Sequence, residues 1–284
     1  MACLLATSCI VGQEGDYEDE DITGEVSGPT ARFTVVQHNI EKKDGPLNTA
    51  LEAGKTANAI TLQEVCPNQL ASLVTTAQAR GWTLSSAVVP HAGCPGDVNP
   101  SVVAIWTGGS NGEISKVDQL GSTPMVPGQA ACVAFNFKKV RTHVCSVKLI
   151  STAKPDGAAE MIRRTQTDAL KKLARDNWFG GRDELGVIAG DFNANVDQKS
   201  VDSLYAPQIG GNGDFTEYNR GNGNTRVGQP TAHATGDIGD YAKKIDYVFF
   251  STNRASINNG PSVSITPTGS DHDMVISSAL MARK

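Results

Sequence analysis

The chain has 284 residues, 39% of them hydrophobic and 29 of them glycine, which is ample length for a buried core in one large domain or two. No apolar run approaches the roughly 20 residues of a membrane-spanning helix. The formal charge of −5 is uneven: Glu14, Asp16, Glu18, Asp19, Glu20, Asp21 and Glu25 all precede the first basic residue, Arg32, so 23 of the 30 acids face all 25 basic side chains in residues 26–284, a sum of +2. That near-neutral remainder excludes the strongly basic balance of a dedicated nucleic-acid binder, and equally an acidic one that would repel phosphates.

At the N-terminus, Ala6-Thr7-Ser8-Cys9 resembles the lipobox of a bacterial lipoprotein signal. Residues 1–9 read as a truncated signal ending at Cys9, whose lipid would hold the protein on a membrane surface. The acidic stretch 10–30 reads as a disordered tether, and 31–284 as the folded domain. Residues 32–40 predict a strand ending on His38 and Asn39, 46–59 a helix, and 60–65 a strand ending on Gln63 and Glu64. A helix follows over 68–80, stopped by Gly81. Residues 82–89 are extended, and 91–100, with two Pro and two Gly, form a loop. Segments 101–107, 113–120, 131–138 and 141–149 read as consecutive antiparallel strands.

Residues 158–178 give the longest helix, with Met161, Ile162, Thr165, Ala169, Leu170, Leu173 and Ala174 on its apolar face and its Arg and Lys residues solvated. The run 185–189 has the β-branched content of a buried strand and breaks at Gly190 to deliver Asp191 and Asn193. Residues two apart on an extended chain point the same way, so that acid and amide face one point, suited to a hard metal ion or to phosphate oxygens. A simple turn is the other reading of the same residues. Residues 197–205 suggest a short helix, and 209–229 a long glycine-rich surface loop of the kind that carries recognition. Strands over 244–251, 262–267 and 274–281 complete a single domain of mixed sheets covered by helices.

Four cysteines remain. An even number beside an export-type N-terminus points to two disulfides in an oxidising compartment, against four buried thiols in a cytosolic protein. If Phe137 pairs with Val140 across a tight turn, Cys132 lies opposite Cys145, within bridging reach, which leaves Cys66 for Cys94.

Asn39, Glu64, Asp191 with Asn193, Asp246, and Asp271 with His272 each close an apolar run. A buried lone carboxylate is costly unless it is paired or metal-bound, and five such strand ends describe a site. His38-Asn39, Leu62-Gln-Glu64, Gly190-Asp-Phe-Asn193, Ile245-Asp-Tyr247 and Ser270-Asp-His272 resemble, in order and spacing, the endonuclease/exonuclease/phosphatase (DNase I-like) superfamily, and the cysteines resemble those of its secreted bacterial branch. The resemblance implies an α/β four-layer sandwich of two packed mixed β-sheets flanked by helices. It also implies a divalent cation, Mg²⁺ or else Mn²⁺ or Ca²⁺, bound by Glu64 with Asn39 near and Asp271 in support. Asp191 would orient or deprotonate a water, Asn193 would hold a phosphate oxygen, and Asp246 would fix and strengthen the base His272.

Two positions depart from the pattern. Lys148 stands where relatives carry a phosphate-contacting histidine, with His143 on the same strand but facing the other way. Gly128-Gln129-Ala130 stands where relatives often have an arginine. The remaining aromatics and histidines, Trp82, Trp106, Trp178, His91 and His233, read as core, loop or surface residues, while Lys42-Lys43 are turn charges close enough to Asn39 to reach a substrate phosphate. The expectation is a monomeric, metal-dependent phosphodiesterase or phosphatase, secreted or held as a cell-envelope lipoprotein. Its substrate would be nucleic acid, a phosphoinositide or a sphingolipid head group. The rival is a surface protein that keeps the fold and pocket but has lost turnover with the histidine.

Overall fold

Alternation along the strands sets the layers. On β1 (Ala31–Asn39) Val35 joins one buried cluster and Val36 another. On β4 (Ser101–Trp106) Ala104 faces the first cluster while Val103 and Ile105 face the second. A strand whose two faces are both apolar must be covered on both sides. The computed structural model describes residues 31–281 apart from 91–92, 121–127, 152–156, 180–182, 221–224, 234–241 and 257–261. The N-terminal signal with Cys9, the acidic tether, His91 and residues 125–127 lie outside the described residues.

The remaining elements are α1 (Asp44–Ala53), β2 (Ala59–Val65), α2 (Pro67–Ala79), β3 (Thr83–Val88), β5 (Glu113–Leu120), β6 (Gly128–Phe137) and β7 (Val140–Lys148). After them come α3 (Gly157–Ala174), β8 (Leu185–Asp191), β9 (Phe215–Thr216), β10 (Asp246–Ser251), β11 (Ser262–Thr266) and β12 (Met274–Met281). One sheet runs β11-β12-β1-β2-β4-β3 and the other β5-β6-β7-β8-β10-β9. Each contains one parallel pair, β1–β2 and β7–β8, and is otherwise antiparallel. Phe33, Val35, Trp106, Phe135, Val187 and Phe250 fill the space between the sheets, with the Trp106 and Phe135 rings stacked 4.5 Å apart. Leu47, Ala50 and Leu73 of the first two helices cover one outer face, and Leu170 and Ala174 of α3 the other. This is the expected four-layer α/β sandwich.

The strand pairing Phe137↔Val140 sets Cys132 opposite Cys145, and both predicted disulfides form, Cys132–Cys145 and Cys66–Cys94.

Several sequence expectations need correction. The helix predicted over 46–59 ends at Ala53, because Ala59 is already in β2 beside Val35. The strands from 101 to 149 are not one antiparallel run: β4 and β5 lie in different sheets, and only β5-β6-β7 form the meander. The long helix turns only part of the expected face inward: Leu170 and Ala174 are buried, with Ala169 and Leu173 packed beside them. Met161 is 65% exposed, whereas Arg163 and Gln166 are buried, because their side chains bond the backbone of Ile150 where β7 leaves the sheet. Residues 197–205 hold only a short 3-10 turn, Lys199–Val201. The stretch 209–229 is not a free surface loop in its described part, since Phe215 to Asn219 are buried and β9 pairs with β10.

Candidate active site

The layer between the sheets changes character along the strands. Towards one end the inward positions become Gln37 and Asn39 on β1, Thr61 and Gln63 on β2, Ser146 and Lys148 on β7, Asp191 on β8 and Asp246 on β10. A buried polar layer must satisfy itself. Here Gln37 and Gln63 exchange amide hydrogen bonds at 2.8 and 3.0 Å, Gln63 donates to Ser146, and Ser146 donates to the Leu62 carbonyl. Gln37 also donates to Asp246 Oδ1 at 3.2 Å, so the amide ladder positions the first functional carboxylate. Gln37 and Ser146 escape the search for strand-end residues because they lie inside their strands. Their only signal is a polar residue at an inward position of an apolar strand.

Above this ladder lie the carboxyl ends of both parallel pairs, where ligands bind in open α/β sheets. Lys148 and Asp191 are register partners on β7 and β8, and Asp191 and Asp246 on β8 and β10. Glu64 should by alternation point towards the helices. A bulge between Leu62 and Val65, with Glu64 in the left-handed region at φ 59°, turns it to the site instead. Asn193, Glu41 and Lys42 also have positive φ, at 49°, 50° and 60°, near this end of the sandwich. Gly190 is required for a different reason: a Cβ there would lie 2.0 Å from the Val147 carbonyl oxygen of the neighbouring strand.

The structure brings Asn39, Glu64, Lys148 and Asp191 into one cluster. Lys148 Nζ donates to Glu64 Oε1 at 2.7 Å and to Asp191 Oδ2 at 2.8 Å. Asn39 Nδ2 donates to the same two oxygens, at 3.3 and 3.1 Å, while its Oδ1 accepts the Glu41 N–H. Lys42 Nζ takes the other oxygen of Glu64 at 2.9 Å. Asn193 gives its backbone N–H to Asp191 Oδ1 and its side-chain amide to the Leu149 carbonyl. Burial alone would raise the Glu64 and Asp191 carboxyls, but the Lys148 ammonium beside both, with Lys42 on Glu64 and His272 near Asp191, holds them below the usual carboxylate range. Lys148, penalised by burial, is in turn held above the ordinary lysine value by Asp191 and Glu64.

His272 joins through its Nδ1, 2.8 Å from Asp246 Oδ2, as expected. Its Nε2 lies 3.8 Å from Asp191 Oδ2 and 3.9 Å from Asp271 Oδ1. Burial would favour the neutral ring, yet Asp246 and then Asp191 outweigh it and push the imidazole up to about 10. The ring is therefore an imidazolium near neutrality, a proton donor rather than a free base. Asp271 sits at the rim, its side chain 35% exposed and its N–H on Glu41 Oε2.

The other described histidines, His38, His143 and His233, stay outside. His38 is buried with Nε2 on Thr268 Oγ1 and, by burial, pushed down to about 3, so only Asn39 of that motif reaches the site. His143 faces away from Lys148 and bonds Glu184. His233, half exposed in its loop, bonds Asp273 at 2.6 Å, a partner the sequence did not suggest. Gln129 lies opposite Lys148 on β6, at one position where an arginine was expected, and its buried amide oxygen has no partner among the described residues.

The family model that describes the endonuclease/exonuclease/phosphatase family matches residues 36–272, which hold every strand end of the site. The chain belongs to this family. Among solved structures it is similar to the human Nocturnin catalytic domain with bound sulfate anion, at 15% identity and a TM-score of 0.64 over 88% of this chain and 94% of that one. It is similar also to truncated Caenorhabditis elegans TDP2, at 13% identity and 0.61 over 88% and 97%. ANGEL2, described as a 2′,3′-cyclic phosphatase and bound to adenosine-2′,3′-vanadate, aligns at 12% identity and 0.61 over 89% and 97%. At such identities the likeness is one of fold. No curated protein sequence matches the chain.

Enzymes of this family generally use divalent metals, and an acidic metal site is within the chain's means: Asp191, Asp246 and His272 each offer an atom within 4.8 Å of the others. The ligand set implied by the resemblance fits in kind but not in arrangement. Glu64, with Asp271 at the rim, supplies the hard oxygen donors such an ion takes. Both Glu64 oxygens already accept from ammonium groups, and Asn39 presents its N–H to the carboxylates rather than its carbonyl. Two unit charges 4 Å apart in an effective dielectric of about 20 interact by roughly 4 kcal/mol, and a divalent ion beside Lys148 would meet about twice that as repulsion.

Proposed function

We propose that the chain is a phosphoester hydrolase acting at the carboxyl ends of the two parallel strand pairs. The observation that carries this reading is the convergence of Asp191 with the Asp246–His272 pair and with Lys148 within hydrogen-bond or ion-pair distance. Lys148, Lys42 and Asn193 supply the donors for phosphoryl oxygens. Asp191, held as a carboxylate, orients the attacking water and accepts its proton as the new P–O bond forms. The imidazolium of His272, fixed by Asp246, delivers a proton to the leaving oxygen. The Mg²⁺, Mn²⁺ or Ca²⁺ expected from the resemblance would have to take Glu64 and Asp191 from Lys148, with Asp271 at the rim, and so no step here runs through it.

Nucleic acid, inositol phosphate and phospholipid head group are the substrate classes we carry forward. The nucleotide ligand of ANGEL2 and the single-strand DNA product bound to Danio rerio TDP2 support the first. Two disulfides support export, to the medium or to a membrane surface through Cys9, because such bonds persist in oxidising compartments.

Purified protein should hydrolyse a generic phosphodiester, and Asp191→Ala should lower the rate on the order of 10²–10⁴-fold. A rate indistinguishable from that of Asp191→Ala would sink the enzyme and leave the second reading, a surface protein that binds phosphate without turning it over. That reading is favoured by one observation: Lys148 and Asn39 both sit on the Asp191 oxygen that faces the site.

A further inference from the structure

We propose that Lys148, with Lys42 beside it, takes the place of the divalent cation in this site and binds a phosphoryl oxygen directly. The inference rests on the site assigned above but does not require turnover.

Three features carry it. First, Lys148 bridges the two sheets, from β7 to Glu64 on β2 and to Asp191 on β8, and only 6% of it is exposed. Swinging it aside would take the ammonium from Asp191, which is fully buried and would keep only the N–H groups of Asn39 and Asn193 as donors. Second, the neighbours of these carboxylates are donors. Asn39 offers both of them its N–H, and its carbonyl is taken by the Glu41 N–H, so it is turned away from where a metal would need a lone pair. Third, an ammonium has three donors, and Lys148 spends two on Glu64 and Asp191. The third has no acceptor among the described residues and is left for a ligand oxygen. Lys42, whose side chain is 29% exposed, makes one ion pair among the described residues, to Glu64, and has donors left on the solvent side.

Two titrations of the whole protein, followed by thermal unfolding, test this. With EDTA present, inorganic phosphate should raise the wild-type Tm by several degrees, and Mg²⁺ alone in phosphate-free buffer should leave it unchanged. Lys148→Met should reverse both responses: Mg²⁺ raises its Tm, and its phosphate affinity in EDTA falls at least tenfold by equilibrium dialysis. A wild-type Tm raised by Mg²⁺ alone, or by phosphate only once Mg²⁺ is added, overturns the proposal. The wild-type titrations decide this even if Lys148→Met does not fold. A protein that binds phosphate in EDTA yet hydrolyses no ester keeps this inference and loses the hydrolase reading. One that hydrolyses only with Mg²⁺ keeps the hydrolase and loses the inference.

Discussion

Among the described residues, two lysine–carboxylate clusters are buried, and their difference separates a strut from a site. Lys244 bonds Glu217 and the carbonyls of Asn219 and Arg226, so its three donors are filled, and Glu217 also accepts the Tyr205 hydroxyl at 2.8 Å. Lys148 fills two donors among the described residues. Burial raises the Glu217 carboxyl and lowers the Lys244 amine, because desolvation there exceeds the pair's attraction. In the Lys148 cluster two carboxylates share one buried ammonium, and all three groups are driven further towards their charged forms. A saturated ion pair holds structure, here tying Glu217, Asn219 and Arg226 to Lys244, just before β10. An unsaturated one with its charges held can receive a ligand.

Three experiments press on that contrast. The largest effect should come from Lys244→Met, which leaves Glu217 buried and unpaired at a cost of about 3–5 kcal/mol in denaturant unfolding. Neither phosphate nor Mg²⁺ should restore it. Rescue by either would mean that both clusters are ligand sites.

Acid unfolding should give an intermediate effect, of opposite sign in the two clusters. The Glu64 carboxyl is depressed in the folded state, so its contribution is fully present above its ordinary value of 4.5 and lost as pH falls towards the folded value. Glu64→Gln should therefore flatten the stability profile below about pH 4.5. The Glu217 carboxyl is raised, so folding favours its protonated form and acid does not cost stability there. Glu217→Gln should leave the acid limb at least as steep as in wild type. Equal flattening by both variants would erase the distinction.

The smallest effect belongs to Lys42→Ala. Its ion pair with Glu64 is part-exposed and worth no more than about 1 kcal/mol of stability. Phosphate affinity in EDTA should nevertheless fall several-fold by dialysis. If stability drops and affinity holds, Lys42 is a strut like Lys244.

Much of this was legible in the residues. Asn39, Glu64, Asp191, Asp246 and His272 announce themselves as polar ends of apolar runs, and the hairpin 137–140 gives the Cys132–Cys145 register by counting. The inward face of α3 was legible only in part, through Leu170 and Ala174. Arg163 and Gln166 look like solvated residues until the backbone they cap at Ile150 is known. The burial of 215–219 was also hidden, since β9 is two residues long and owes its place to its pairing with β10.

The sequence by itself determined the order of the strands, the residues at their ends and the family, because side-chain alternation has a period of two and is local. Only the tertiary structure decided who meets whom. Lys148 reaches Glu64 from 84 residues away and Asp191 from 43. The first contact depends on a bulge that overrides alternation at Glu64, the second on the parallel register of β7 with β8. Whether an acid at a strand end binds a metal or an ammonium depends on which cation packing puts beside it, and that is a property of the two sheets together.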